Sequence, residues 1–166
     1  SSSTPVCVDL AISIDEYSRN TFNSDQETLD WALAIIAGVS QLYANQTNAE
    51  IQVSHSTIWN TLDPYFQHNG CGDILSELVT YWQANNAGIP RTLVHFMSKR
   101  GLGCGVAYLG VLCSTSNGYA VSASLGNDTN FFFNGSIYHF SVFDGYFNNN
   151  LVKIENSIIK SINQAK

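Results

Sequence analysis

Val6-Cys7-Val8-Asp9-Leu10-Ala11-Ile12-Ser13-Ile14-Asp15 alternates in a way that sets the reading of the whole chain. Val6, Val8, Leu10, Ile12 and Ile14 fall on one side of a period-2 pattern, which reads as a β-strand with an apolar face. The other side carries Cys7, Ala11, Asp9, Ser13 and Asp15, so that face is expected to be less well buried. Downstream, Ser24 and Glu27 form a capping box, and Leu29, Leu33, Ile36 and Tyr43 follow at helical spacing, predicting a long helix over about 25–44. Ile51-Gln52-Val53-Ser54-His55 alternates again, and Asp63-Pro64 marks a turn. Asp73 is placed to cap a second helix with Ile74, Leu75, Leu78 and Trp82 on its apolar side. Asn85-Asn86-Ala87-Gly88 and Pro90 end that helix, and Arg91 to Ser98 makes a third strand. Strand, helix, strand, helix, strand is the order of crossover connections in a parallel sheet.

After Lys99-Arg100 the pattern changes. Gly101, Gly103 and Gly105 surround Cys104, Val106 to Cys113 reads as a short strand, and Gly118 to Ser122 reads as another. A short polar connection between them suggests a hairpin-like edge rather than a further crossover. Asn127 to Asn150 mixes Phe131-Phe132-Phe133, Tyr138, Phe140, Phe143, Tyr146 and Phe147 with Asn and Gly, and Leu151, Ile154, Ile158 and Ile162 suggest a final amphipathic helix. The expected whole is one domain of 166 residues, a three-layer α/β fold with a mixed, mainly parallel sheet, closed by a divergent aromatic tail over 126–166.

Composition narrows the function. Seven Lys and Arg stand against thirteen Asp and Glu, a net charge of −6, so no basic face exists to neutralise a phosphate backbone and nucleic acid is a poor partner. The charge is uneven: residues 1–90 hold one Arg and ten acids, and residues 91–166 hold six bases and three acids. A solvated acidic face accounts for this, with steering of a basic peptide as the sharper alternative. The longest apolar run, near Trp31 to Val39, falls far short of the ~20 residues a membrane helix needs. Ser1-Ser2-Ser3-Thr4-Pro5 has neither a charged nor an apolar leader segment. Four cysteines, Cys7, Cys71, Cys104 and Cys113, with no CxxC pair, read as two disulfides and an extracellular location. Of three possible connectivities, Cys7–Cys71 with Cys104–Cys113 is the expected one. Three glycosylation sequons, at Asn45, Asn127 and Asn134, are about what the composition yields by chance.

Catalytic signatures are missing. His55, His68, His95 and His139 are isolated, and no His-Glu-x-x-His occurs. His55 and His95 lie in the second and third strands, where side chains on one face could meet at a metal; hydrogen-bonded structural histidines are the simpler reading. No G-x-S-x-G elbow is present. Cys104 beside His95 would suit a thiolate nucleophile, but a disulfide explains it better. Gly101-Leu102-Gly103-Cys104-Gly105 reads as a tight turn rather than a phosphate cradle, because the Walker Lys is absent. Asp9 and Asp15 could pair as acid and base, and Asp15-Glu16 lies where open parallel sheets bind ligands or calcium. A solvated strand-end cluster is the competing account.

Val8 to Asp15, the helix ending in Tyr43, Ile51-Gln52-Val53, the helix through Leu78 and Trp82, and above all His95 to Cys113 with Gly118 to Ser124 resemble the upper subdomain of reprolysin-type (adamalysin-like) metzincin metallopeptidases. The resemblance covers about residues 6–125. It implies that a zinc helix, H-E-x-x-H-x-x-G-x-x-H, and a Met-turn should follow. The corresponding stretch, Phe133 to Phe147, has one His and no adjacent Glu, and the only methionine is Met97 in the third strand. The family's zinc is therefore expected to have no ligands here, and no catalytic or metal residue can be assigned. One element does transfer: the family's edge strand pairs with bound peptide through main-chain hydrogen bonds, and its counterpart here is Gly105, Val106, Ala107, Tyr108, Leu109 and Gly110. The expected protein is a secreted, metallopeptidase-like pseudoenzyme without cofactor, either a degenerate homologue or a fragment. The alternatives are a peptide- or protein-binding module acting through that edge strand, and an active peptidase with an unrecognised site.

Overall fold

The structure is a computed structural model that describes residues 6–111 and 114–126. Its elements are β1 (Val6–Ile14), α1 (Glu16–Arg19), α2 (Asp25–Thr47), β2 (Ala49–Ile58), α3 (Cys71–Asn85), β3 (Leu93–Met97), β4 (Gly105–Ala107) and β5 (Tyr119–Ser122). One five-stranded sheet runs in the order β2-β1-β3-β5-β4. β1 pairs in parallel with β2 and β3, β3 pairs in parallel with β5, and β4 is antiparallel to β5. The mixed, mainly parallel sheet and the antiparallel edge pair match the expectation.

Helices cover both faces, which makes three layers. Val8, Leu10, Ile12 and Ile14 turn one face of β1 towards Trp31, Ile35, Ile36, Val39 and Tyr43 of α2. Ala11 on the opposite face joins Val94, Phe96, Tyr119 and Val121 against Ile74, Leu75, Leu78 and Trp82 of α3. From Leu10 onward every residue of β1 is buried, as a strand covered on both sides must be. The face carrying Asp9 is less buried only at the amino end, where Cys7 is exposed.

The expected α2 begins where the capping box put it: Ser24 Oγ accepts from the Glu27 N–H at 3.1 Å, while Glu27 Oε2 accepts from the Asn23 N–H at 2.9 Å. Its buried stripe differs in phase from the expected one. Ala32, Ile35, Ile36, Val39 and Tyr43 carry it at helical spacing, and Leu33, off that stripe, is exposed. α3 has Gly70 at its N-cap, not Asp73, which sits inside the first turn and favours the positive helix end through charge alone. The strand expected from Val106 to Cys113 is shorter: pairing stops at Ala107, and Gly110 adopts φ 69°, a left-handed turn that ends extended structure. Residue 113 and the whole tail from 127, including the expected final helix, lie outside the described residues.

Among the described residues no helix is long and apolar enough to cross a membrane.

Candidate functional site

Two places at the margins of this sheet carry functional possibilities, the β4 edge and the carboxyl ends of β1 and β3. β4 forms one lateral border of the sheet. The Ala123 N–H donates to the Cys104 carbonyl at 3.1 Å, and the Tyr108 N–H donates to the Tyr119 carbonyl at 3.4 Å. Backbone groups alternate in direction along an antiparallel strand, so Val106, opposite Val121, also faces β5. Gly105 and Ala107 then turn their N–H and C=O outward, where no other strand among the described residues meets them. Tyr108 and Leu109 follow with exposed side chains, Leu109 at 71%. The six residues from Gly105 to Gly110 thus consist of a three-residue edge strand and an apolar, solvent-facing turn.

The edge is fastened at its start. Cys104 is bonded to Cys71 at the amino end of α3, with 6.0 Å between Cα atoms. This overturns both halves of the expected Cys7–Cys71 and Cys104–Cys113 pairing. The reason is the course of α3, which runs against the parallel strands and brings Cys71 to the carboxyl end of the sheet. Cys7 stands at the amino end of β1, exposed and free, and Cys113 is outside the described residues. A thiolate role for Cys104 is excluded by the same bond.

At the carboxyl end, β1 stops at Ile14 and Asp15 becomes the N-cap of α1. Asp15 is fully buried rather than solvated. Its Oδ1 accepts from the Ser18 N–H at 3.1 Å, and its Oδ2 accepts from the Ser98 hydroxyl at 2.6 Å. Burial pushes its carboxyl above the ordinary 3.8, outweighing the hydrogen bonds from Ser18 and Ser98. Asp63 behaves alike: burial raises it against the N–H groups of Glu16 and Tyr65, which its two oxygens accept at 3.1 and 2.8 Å. The Arg100 guanidinium donates to the carbonyls of Tyr65 and His68 and to Asn69 Oδ1. Lys99 packs its ammonium 4.4 Å from the Phe22 ring centre and 5.7 Å from that of Trp31, and burial pulls it below the ordinary 10.5. These groups tie loops to strand ends. Sequence reasoning placed Asp15 correctly at the strand end but missed Asp63, Ser98 and Arg100, which nothing in the linear pattern connects to it.

Asp9 does not join Asp15. Six positions along an extended strand separate them by roughly 20 Å, and Asp9 instead accepts from Gln52 Nε2. His55 and His95 do not meet either, because β1 lies between β2 and β3, so the alternative of a shared metal site on those strands fails. The register also shifts, with Leu10 opposite Val53 but Ala11 opposite His55. That bulge turns His55 to the α3 face, where it meets Trp82 edge-on at 6.0 Å. His95 lies on the α2 face with Leu93 and Met97, its Nε2 2.8 Å from Ser122 Oγ. His68 lies 4.0 Å from Glu77. Among the described residues no three of His, Cys, Asp or Glu converge as a metal would require. Phe133 to Phe147, with His139, is outside the described residues.

The family model Reprolysin_5, metallo-peptidase family M12, matches residues 4–161. Among solved structures, a chain from "Structure of a chaperone-substrate complex" shares the fold at a TM-score of 0.56 with 13% identity. The superposition covers 78% of this chain and 23% of that one, so this chain spans about a quarter of the other's length. No curated protein matches the sequence.

Proposed function

This chain belongs to metallo-peptidase family M12, and from that premise we propose that it is a secreted, adamalysin-like member that recognises peptide without zinc hydrolysis. The observation that carries the reading is the β4 edge. Gly105 and Ala107 turn their peptide groups away from β5 in a chain whose sequence contains no His-Glu-x-x-His. An extended peptide gains affinity there by adding a strand, which needs backbone groups and no catalytic side chain. The Cys71–Cys104 bond supports this by holding the strand's entry against α3, so that less freedom is lost on binding, and it is compatible with an oxidising, extracellular setting.

The family's chemistry rests on a zinc ion, for which the described residues offer no ligand group. Purified protein is expected to contain no stoichiometric zinc and to leave a denatured protein substrate uncut, with or without chelator. Stoichiometric zinc with chelator-sensitive cleavage would overturn the pseudoenzyme reading. Cleavage that persists in chelator would instead favour a peptidase with a different site. The binding function is tested with Ala107→Pro, which removes an outward-facing donor without touching the ladder to β5. Binding of a fluorescent extended peptide should weaken by up to about tenfold, as the loss of one hydrogen bond of about 1–1.5 kcal/mol implies. Leu109→Pro, beyond the last paired residue, should weaken it less. Unchanged affinity in folded Ala107→Pro protein would count against the edge as the site.

A further inference from the structure

A cavity of about 450 Å³ opens at the carboxyl end of the sheet, between α1 and the loop before Asp63-Pro64 and Phe66. Its rim is apolar and wet: Tyr17, Leu62 and Phe66 are 55%, 58% and 48% exposed. Its charged residues are Glu16, Asp63 and Arg100. Two of these are already engaged. Asp63 accepts two backbone N–H groups, and Arg100 donates to two carbonyls and an amide oxygen. Glu16 has neither an ion pair nor a side-chain hydrogen bond among the described residues. Arg19, at the far end of the same short helix, is held by Asp25 at 2.6 Å and does not neutralise it.

We propose that this cavity docks the cationic side chain of a partner peptide, an Arg or Lys with an apolar neighbour. A cavity lined by a carboxylate, two aromatic rings and a leucine suits a guanidinium, which can pair with the first, stack on the second and lay its aliphatic stem along the third. A purely apolar ligand would strand the Glu16 carboxylate away from water, and the two carboxylates of the lining, Glu16 and Asp63, outnumber its one guanidinium, Arg100, which favours a cation over an anion. The occupant assigned is a foreign chain, and a second copy, whose Lys153, Lys160 and Lys166 lie outside the described residues, is the outcome the test must exclude. Every basic residue of the described surface is used internally: Arg19 on Asp25, Arg91 between Trp82 and Tyr119, Lys99 on Phe22 and Trp31, and Arg100 on the loop carbonyls. The proposal does not depend on the β4 reading, since two strands, β3 and β5, separate β1 from β4.

The test is calorimetric titration of the 166-residue chain with acetyl-Gly-Arg-Leu-Gly-amide and with the same peptide carrying citrulline in place of arginine. The arginine peptide should bind at least about tenfold more tightly, the difference expected for a charge-assisted pair over a neutral one. Glu16→Gln should remove that preference and Phe66→Ser should weaken both peptides, with thermal melts showing that each variant is folded. The preference for the arginine peptide over the citrulline peptide should persist in Ala107→Pro, which weakens edge binding of both alike, and this separates the cavity from the β4 edge. No binding of the arginine peptide, equal binding of the two peptides, or retention of the preference in Glu16→Gln would overturn the proposal. So would concentration-dependent self-association abolished by Phe66→Ser, which would make a second copy the occupant.

Discussion

Asp15 carries two structural duties on one carboxylate, capping α1 through the Ser18 N–H and holding the end of β3 through the Ser98 hydroxyl. Asp15→Ala removes a cap and leaves a buried hydroxyl without its acceptor, so a loss of about 2–4 kcal/mol is expected in urea unfolding. Asp15→Asn tests the charge separately. Because burial raises the folded pKa above the ordinary 3.8, the folded protein keeps a proton that the unfolded chain has released in the window above 3.8. This group's contribution to stability is full below that window and falls as pH rises through it. Relative to wild type, Asp15→Asn should therefore gain stability as pH rises from about 4 through the folded pKa. A pH-independent difference between the two proteins would show that the carboxyl is not raised. The residue's position at a strand end was legible from the alternation of β1, but its burial was not. That burial depends on a helix of four residues, too short for periodicity, and on a serine 83 positions away.

At the scale of elements, long periodic segments were readable, and their phase and staples were not. α2 and α3 were found through spacing, yet the facing stripe of α2 runs through Ala32, Ile35, Ile36, Val39 and Tyr43 and leaves Leu33 outside, because a helix apolar on most sides offers more than one stripe at helical spacing. The bulge in β2 that separates His55 from His95 leaves no sequence signal, since Ser54 fits the alternation equally well as a paired or an extra residue. Cysteine spacing likewise carries no direction; only the antiparallel course of α3 brings Cys71 to Cys104. That bond closes a separation of 33 residues, for which constraint of the unfolded chain predicts about 3–4 kcal/mol. Replacing both cysteines by serine should lower the unfolding free energy measured in urea by that amount, with a correspondingly lower midpoint, and reducing the wild-type protein should give the same midpoint. The edge-peptide affinity should fall in parallel, because β4 would lose its anchor on α3. An unchanged midpoint would place the bond outside the cooperative structure.

In the whole molecule, the two apolar layers are not separate cores but two sides of the same strands. Ile12 packs against α2 while its neighbour Ala11 packs against α3, and β3 divides Leu93 and Met97 from Val94 and Phe96 in the same way. This sharing follows from parallel strands buried on both faces, a feature that the run from Leu10 to Ile14 announced and that the rest of the fold completes. Neither layer can then lose its packing while the other keeps it. The three tryptophans make this measurable, because Trp31 belongs to the α2 layer while Trp59 and Trp82 belong to the α3 layer. Ile12→Ala leaves a cavity on one side alone, and a fully buried isoleucine reduced to alanine costs about 2–5 kcal/mol. The variant should unfold in one transition at lower urea, with tryptophan fluorescence and far-ultraviolet circular dichroism superimposing. A fluorescence curve in two steps, the first from Trp31 alone, would mean that the layers melt independently and that β1 does not couple them.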